Sequence, residues 1–383
     1  MTSPEVSPQS APAAGGGATL IDCDIHNVVP STTALFPYLP YHWREHITNT
    51  KFKGVGETAY PRKAPTTARP GSAPPEGGAA GSSLEQLRAQ HLDPLGVALG
   101  ILCCTYEVDS LRNPDAAVAL ARACNDWQIA EWLDPEPRLR ASIVVPSQIP
   151  HLAAQEIDRV GDHPGFVQVF LPVRSHHPYG NRLYHPMWEA IARHDLVGGL
   201  HFGGAPGNPP MPSGWPSYYF EEYAGMAQVF QSQLVSLITE GVFDQFPALR
   251  VALIEGGWTW LPSFMWRFDK EWRNLRRLVP WVKQTPSAYI RERVRFTLQP
   301  LDAPPEPRGL VQVIDQIGSD DVLLYSSDYP HRHDADPAQA LFPHLPPALA
   351  RKIRATNALA FYPRLAGSRA QSAPAPAPAS TRS

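Results

Sequence analysis

Three carboxylates and two imidazoles stand at the ends of short apolar runs: Asp24 and His26 in Ile-Asp-Cys-Asp-Ile-His, His201 in GGLHFGG, Glu255 in LIEGGW and Asp328 in LLYSSDYPH. Buried carboxylates gathered at one place repel one another unless a cation neutralises them, so the set points to a metal centre. Three carboxylates against two imidazoles make a harder donor set than the histidine-rich ones that suit zinc, which favours iron or manganese. Asp328 and Glu255 are also the candidates for acid–base chemistry beside the metal. By strand alternation Asp22, Asp24 and His26 share one face, with Asp22 behind the two ligands. His331, just past Asp328, is expected to orient a ligand from behind.

These residues lie far apart in the chain, and the elements between them must bring them together. Eight apolar, β-rich runs occupy 19–25, 96–102, 139–145, 166–173, 196–202, 249–254, 294–298 and 321–325. Helical patterns fall between them at 114–133, 151–160, 185–194, 218–239, 258–278 and 305–317, with a closing helix at 347–361. Strands apolar on both faces and alternating with helices predict a parallel sheet covered by helices, and eight of them an α/β fold of the (β/α)8 TIM-barrel type. In that fold the C-terminal strand ends form the site, which is where the five residues fall. The glycines after Glu255 are expected to give room for a ligand or a loop.

The chain has 383 residues, 43 of them proline, about twice the usual share of roughly 5%. Residues 1–18 and 366–383, rich in Pro, Ala and Gly, read as disordered tails. Residues 19–365 read as one barrel domain, with a lid-like insertion at about 38–93 after the first strand. The net charge of -3 argues against nucleic acid as a partner. No apolar run is long enough to cross a membrane, and the N-terminus lacks a secretory signal, so a cytoplasmic protein is expected. Four cysteines without metal-ligand spacing are expected to be reduced and buried.

The mouth of such a barrel would be aromatic. MPSGWPSYYFEEY (211–223) follows the fifth strand and GGWTW (256–260) the sixth, so Trp215, Tyr218, Tyr219 and Trp258 are candidates for an apolar substrate pocket. Packing between barrel and helices is the other reading of Trp258. His177 and Arg174, after the fourth strand, are candidates for holding a substrate's anionic end. The loop 206–216 is expected to be a proline-stiffened frame for the metal site.

The order Asp-x-His on strand 1, His on strand 5, a group on strand 6 and SDYPH on strand 8 resembles the amidohydrolase-related (amidohydrolase 2) family of metal-dependent barrels. The resemblance runs from about Ile21 to Tyr362. It implies a hydrolase, a non-oxidative decarboxylase or a hydratase, with zinc or manganese as the usual metal. Asp24 and His26 match the family's His-x-His, His201 and Asp328 match its strand 5 and strand 8 ligands, and Glu255 replaces a histidine. No lysine stands on strand 4, so the family's carbamylated bridging lysine is absent, and Glu255 is the candidate bridge. In detail the sequence is similar to a branch that includes the nonheme diiron monooxygenase of platensimycin and platencin biosynthesis. That resemblance implies two Fe2+ ions, O2 as cosubstrate, an external reductant and an apolar terpenoid-like substrate carried as an acyl thioester such as a CoA ester. The runner-up is a metal-dependent hydrolase or non-oxidative decarboxylase acting on a small carboxylic acid or amide with Mn2+ or Zn2+. An inactive binding barrel is a third reading, and a homodimer is left open.

Overall fold

The structure, a computed structural model, describes residues 19–52, 54–55, 68–204, 209–333 and 336–365. The two expected tails therefore lie outside the described residues, as do 56–67 of the insertion and 205–208 of the proline-rich loop. Eight strands form one sheet: β1 (Leu20–Ile25), β2 (Val97–Leu102), β3 (Leu139–Val144), β4 (Phe166–Arg174), β5 (Val197–Gly204), β6 (Arg250–Ile254), β7 (Val294–Thr297) and β8 (Leu323–Leu324). They pair in parallel in chain order. The ends of β8 and β1 close the ring, with Cys23 N–H donating to Tyr325 O at 2.9 Å and His26 N–H to Tyr329 O at 2.7 Å. The fold is the TIM barrel expected from the eight runs, with each strand within about two residues of its apolar run.

Both faces of the strands are apolar because both are covered. Ile21, Cys23, Ile101, Val167, Val197, Ile254 and Leu324 fill the barrel interior. The other face joins the helices in one apolar layer around the barrel, which holds Leu20 and Ile25 of β1 together with Leu120, Trp188 and Leu234 of the helices. Tyr362, after the closing helix, reaches into the interior and donates to Gln168 Oε1 at 2.9 Å. All four cysteines are buried and free. Among the described residues no helix is long and apolar enough to cross a membrane.

One departure from simple alternation matters for the site. Asp22 stands opposite Gly100 and Ile25 opposite Leu102, so three steps on β1 match two on β2. This bulge breaks the shared face expected for Asp22, Asp24 and His26, because an extra residue re-aims the side chains after it. Ile21 and Cys23 point into the barrel and Ile25 points out. Asp24 and His26 turn to the mouth, and Asp22 faces the segment 84–95 instead.

The insertion after β1 holds the helix Tyr41–Thr50 and a continuous helical stretch over 84–95 whose middle, Arg88–Leu92, is a π-turn. Neither was expected from the sequence; nor was the helix Pro286–Arg293. Buried Glu136 fastens the stretch to the barrel by accepting from Arg88 Nε and Arg138 Nε, both at 2.8 Å. Burial alone would raise the Glu136 carboxyl, but its arginine partners outweigh that and hold it down at about 2. A depressed carboxyl stabilises the fold above its unfolded value of about 4.3 and loses that contribution as pH falls toward the folded value. Acid melts between about pH 4.5 and 2 should therefore show Glu136→Gln with a flatter pH dependence than the parent, checked by circular dichroism.

Candidate metal centre

The ends of β1, β5 and β6 bring Asp24, His26, His201 and Glu255 together, each offering a ligand atom within 4.8 Å of the others, and all four are buried. A second group, His26, Glu255, Asp328 and His331, meets the same criterion and shares His26 and Glu255 with the first. His26 Nδ1 lies 3.1 Å from Cys103 O, and its Nε2 faces Glu255 Oε1 at 3.2 Å and Asp328 Oδ1 at 2.8 Å. His201 Nδ1 lies 2.8 Å from Phe202 O, and its Nε2 faces Asp24 Oδ1 at 3.5 Å. A ring nitrogen given to a backbone carbonyl fixes the tautomer that leaves the other nitrogen as a metal donor. Both carboxylate oxygens of Asp24 and Nε2 of His201 are buried without a hydrogen-bond partner. Buried polar atoms are rarely left so, and a cation between them would satisfy all three. The donor set thus fits a divalent metal.

Backbone geometry aims two of the carboxylates. Glu255 and Asp328 adopt φ of 60° and 54°, the left-handed region that costs a non-glycine residue about 1–3 kcal/mol. Both turn sharply at a strand end, which swings the side chain over the mouth. Of the two expectations for the glycines after Glu255, room for a loop rather than a ligand fits: a Cβ on Gly257 would stand 2.5 Å from Asp302 in the loop after β7, and one on Gly256 2.8 Å from the Phe230 ring.

Electrostatics tie the groups together. Burial opposes the charge on Asp328, but His331, His26 and His333 outweigh it and hold its carboxyl well below the usual range. Burial likewise disfavours a charged His331, yet Asp328 and Glu255 raise it to about 9. Asp24 moves the other way: burial pushes its carboxyl up against the pull of His201.

The cluster floors a cavity of about 320 Å³. Phe202, Tyr223, Met226 and Pro300 form an apolar wall, and Thr105, His331, Arg332 and His333 complete the rim. Tyr223 and Met226 come from the helix Tyr219–Thr239. The Tyr219 ring lies tilted against that of Tyr223, centroids 4.7 Å apart, one helical turn earlier in the chain. The other aromatic candidates lie outside this lining. Trp258 is fully buried, and Trp215 and Tyr218 are 58% and 72% exposed. Arg174 is spent on a buried ion pair with Glu222 and stacks over Phe202 at 4.8 Å, so it braces the wall from behind; His177 is exposed. Two contributors were not anticipated. His333 Nε2 lies 2.6 Å from Asp328 Oδ2, and Arg332 is an exposed cation at the rim.

The amidohydrolase family profile matches residues 21–364, nearly the whole barrel. The chain belongs to this amidohydrolase family. A γ-resorcylate decarboxylase from Polaromonas sp. (strain JS666) is 29% identical over 278 residues, covering 66% of this chain and 80% of that protein. Among solved structures, a 5-carboxyvanillate decarboxylase from Sphingomonas paucimobilis superposes with a TM-score of 0.66 at 21% identity, covering 91% of this chain and 99% of the other. A dihydroxybenzoic acid decarboxylase from Polaromonas sp. JS666, with bound manganese and the inhibitor 2-nitroresorcinol, gives 0.62 at 22%, covering 91% and 97%. At these identities the superpositions establish the fold. These relatives are named as decarboxylases, which agrees with the runner-up reading of the sequence better than with the diiron monooxygenase.

Proposed function

We propose that this amidohydrolase is a metal-dependent non-oxidative decarboxylase of a small, single-ring aromatic carboxylic acid. The observation that carries the reading is the two-sided cavity: carboxylate and imidazole donors on the floor, Phe202, Tyr223, Met226 and Pro300 on the wall, and Arg332 at the rim. About 320 Å³ is at the small end of ligand pockets. It suits one ring better than a polycyclic acyl thioester. The similarity to γ-resorcylate and carboxyvanillate decarboxylases supports the same class.

Asp24, His26, His201 and Glu255 would hold the metal, with manganese, present in one structural neighbour, as the first choice. The bound metal would act as a Lewis acid on an oxygen of the substrate. The ring lies against the apolar wall, which excludes water. Asp328 relays a proton from His331, which its own charge and that of Glu255 keep protonated, to the ring carbon that carries the carboxyl group. The electrons of the breaking C–C bond stay with that carbon as CO2 leaves. His331 and His333 return a proton to Asp328 from solvent, since each touches it and His331 is 34% exposed.

Incubation of Mn2+-loaded enzyme with a panel of hydroxybenzoic acids under argon tests this. CO2 release without O2 supports it, and the absence of turnover on every monocyclic acid sinks it. Arg332→Met should raise KM for the acid about tenfold, the loss of roughly 1.4 kcal/mol of charge-assisted binding, and affect kcat less.

The overlapping ligand groups favour a second reading. His26 and Glu255 belong to both, an arrangement that could serve two metals, as the diiron oxygenase reading requires. About two irons per chain with substrate-dependent O2 uptake, electrons supplied by an external reductant, would establish it over decarboxylation.

A further inference from the structure

We propose that His91 is a positioning residue for the metal centre, acting through Asp22 to hold together the strand ends that carry Asp24, His26 and Asp328. The inference rests on the reading of Asp24 and His26 as metal ligands and of Asp328 as the proton carrier beside them, and goes beyond it, because His91 lies in the insertion and touches none of the three.

Asp22, between the inward-pointing Ile21 and Cys23 and ahead of the bulge, points out of the barrel toward the segment 84–95. There its carboxylate is fully buried, and among the described residues its hydrogen bonds run to the backbone at Asp24 and beside Asp328 and to His91. Oδ1 accepts from the N–H of Asp24 at 3.2 Å and from the N–H of Ser327, the residue before Asp328, at 3.0 Å. Oδ2 accepts from His91 Nε2 at 2.7 Å. Ser327 Oγ lies 3.2 Å from the same nitrogen and accepts from the N–H of Tyr329, the residue after Asp328, at 3.1 Å. The His91 ring stacks on Tyr329 with centroids 5.2 Å apart, and Tyr329 donates to Gln90 Oε1 at 2.9 Å.

His91 is wholly buried and its Nδ1 has no partner. With the proton on Nε2, that nitrogen is a bare acceptor, the cheaper atom to leave unpaired, while the N–H serves the Asp22 charge. Without His91, Asp22 would be a buried carboxylate short of one donor. It could regain one only by shifting, and a shift pulls on Asp24 and Ser327 together. Partners one step behind the ligands typically change metal affinity by about 10–100-fold when removed. The π-turn over Arg88–Leu92 places His91 at this contact, a local irregularity of the kind that gathers at functional sites.

Two substitutions separate the hydrogen bond from the packing. His91→Phe keeps a ring against Tyr329 and removes the donor; His91→Gln removes the ring and keeps an amide donor at a similar reach. Mn2+ affinity of the full-length apoprotein is measured by competition with a chelator, and folding by thermal melts. The expected result is a loss of about 10–100-fold in Mn2+ affinity for His91→Phe, with most of it restored in His91→Gln. The inference is overturned if His91→Phe binds Mn2+ like the parent, or if His91→Gln loses as much as His91→Phe. Should His91→Phe not fold, Asp22→Asn is read in the same way, and unchanged affinity there overturns it too. A parent that takes up no Mn2+ defeats the metal reading itself, a result distinct from a parent that binds and a variant that binds equally well.

Discussion

Asp24→Asn is expected to empty the site of metal and lower turnover by about 10³-fold or more, while the metal-free protein becomes more stable. The loss follows from removing an anionic donor and with it several kcal/mol of transition-state charge stabilisation, at about 1.4 kcal/mol per tenfold in rate. The gain follows from Asp24 itself: it is fully buried and neither oxygen has a hydrogen-bond partner. Burial pushes its carboxyl up, so the folded apoprotein strains to keep the charge. A neutral amide of the same shape relieves that strain. Metal analysis and paired melts check both halves. Added Mn2+ should raise the parent's melting temperature, since ligand at 100 times its Kd adds about 2.7 kcal/mol, and leave that of Asp24→Asn unmoved. An apo variant that melts below the apo parent would contradict the account of Asp24.

Asp328→Asn should do something different: keep the metal and lose the chemistry. Asp24, His26, His201 and Glu255 form a complete group without it, so metal content should stay near that of the parent. What goes is the acceptor for His331 and His333 and the carrier of the proton that replaces CO2. Acid–base groups typically contribute about 10²–10⁴-fold, and kcat should fall within that range with KM little changed. Asp328→Asn that loses its metal as fully as Asp24→Asn would move Asp328 from proton carrier to indispensable ligand.

The barrel was legible because its signal is repeated: eight apolar runs at strand length, separated by helical patterns, leave few architectures. The clustering of Asp24, His26, His201 and Glu255 was legible because strand ends in a barrel converge whatever the loops do. The shared face of Asp22, Asp24 and His26 was misread because alternation presumes a regular strand, and the bulge after Asp22 re-aims Asp24 and His26. The pocket wall was misjudged for a related reason. Trp215 and Tyr218 lie in a loop, whose path the sequence does not determine, whereas Tyr223 and Met226 follow Tyr219 at helical spacing and could have been found from that period. Arg174 looked like a free cation, but its partner Glu222 is 48 residues away. His91 sits in an insertion without a motif, and nothing in its neighbours announces a contact with Asp22.

The left-handed backbone at Glu255 and Asp328 has a consequence for variation at these two positions. On stability alone this backbone would choose glycine at 255 and asparagine or glycine at 328, residues that take positive φ at little cost. A library of point variants scored by melting temperature should therefore rank both positions as improvable, and the same library scored by turnover should rank them as intolerant. Where those two maps disagree most sharply, the chain gives up stability for chemistry.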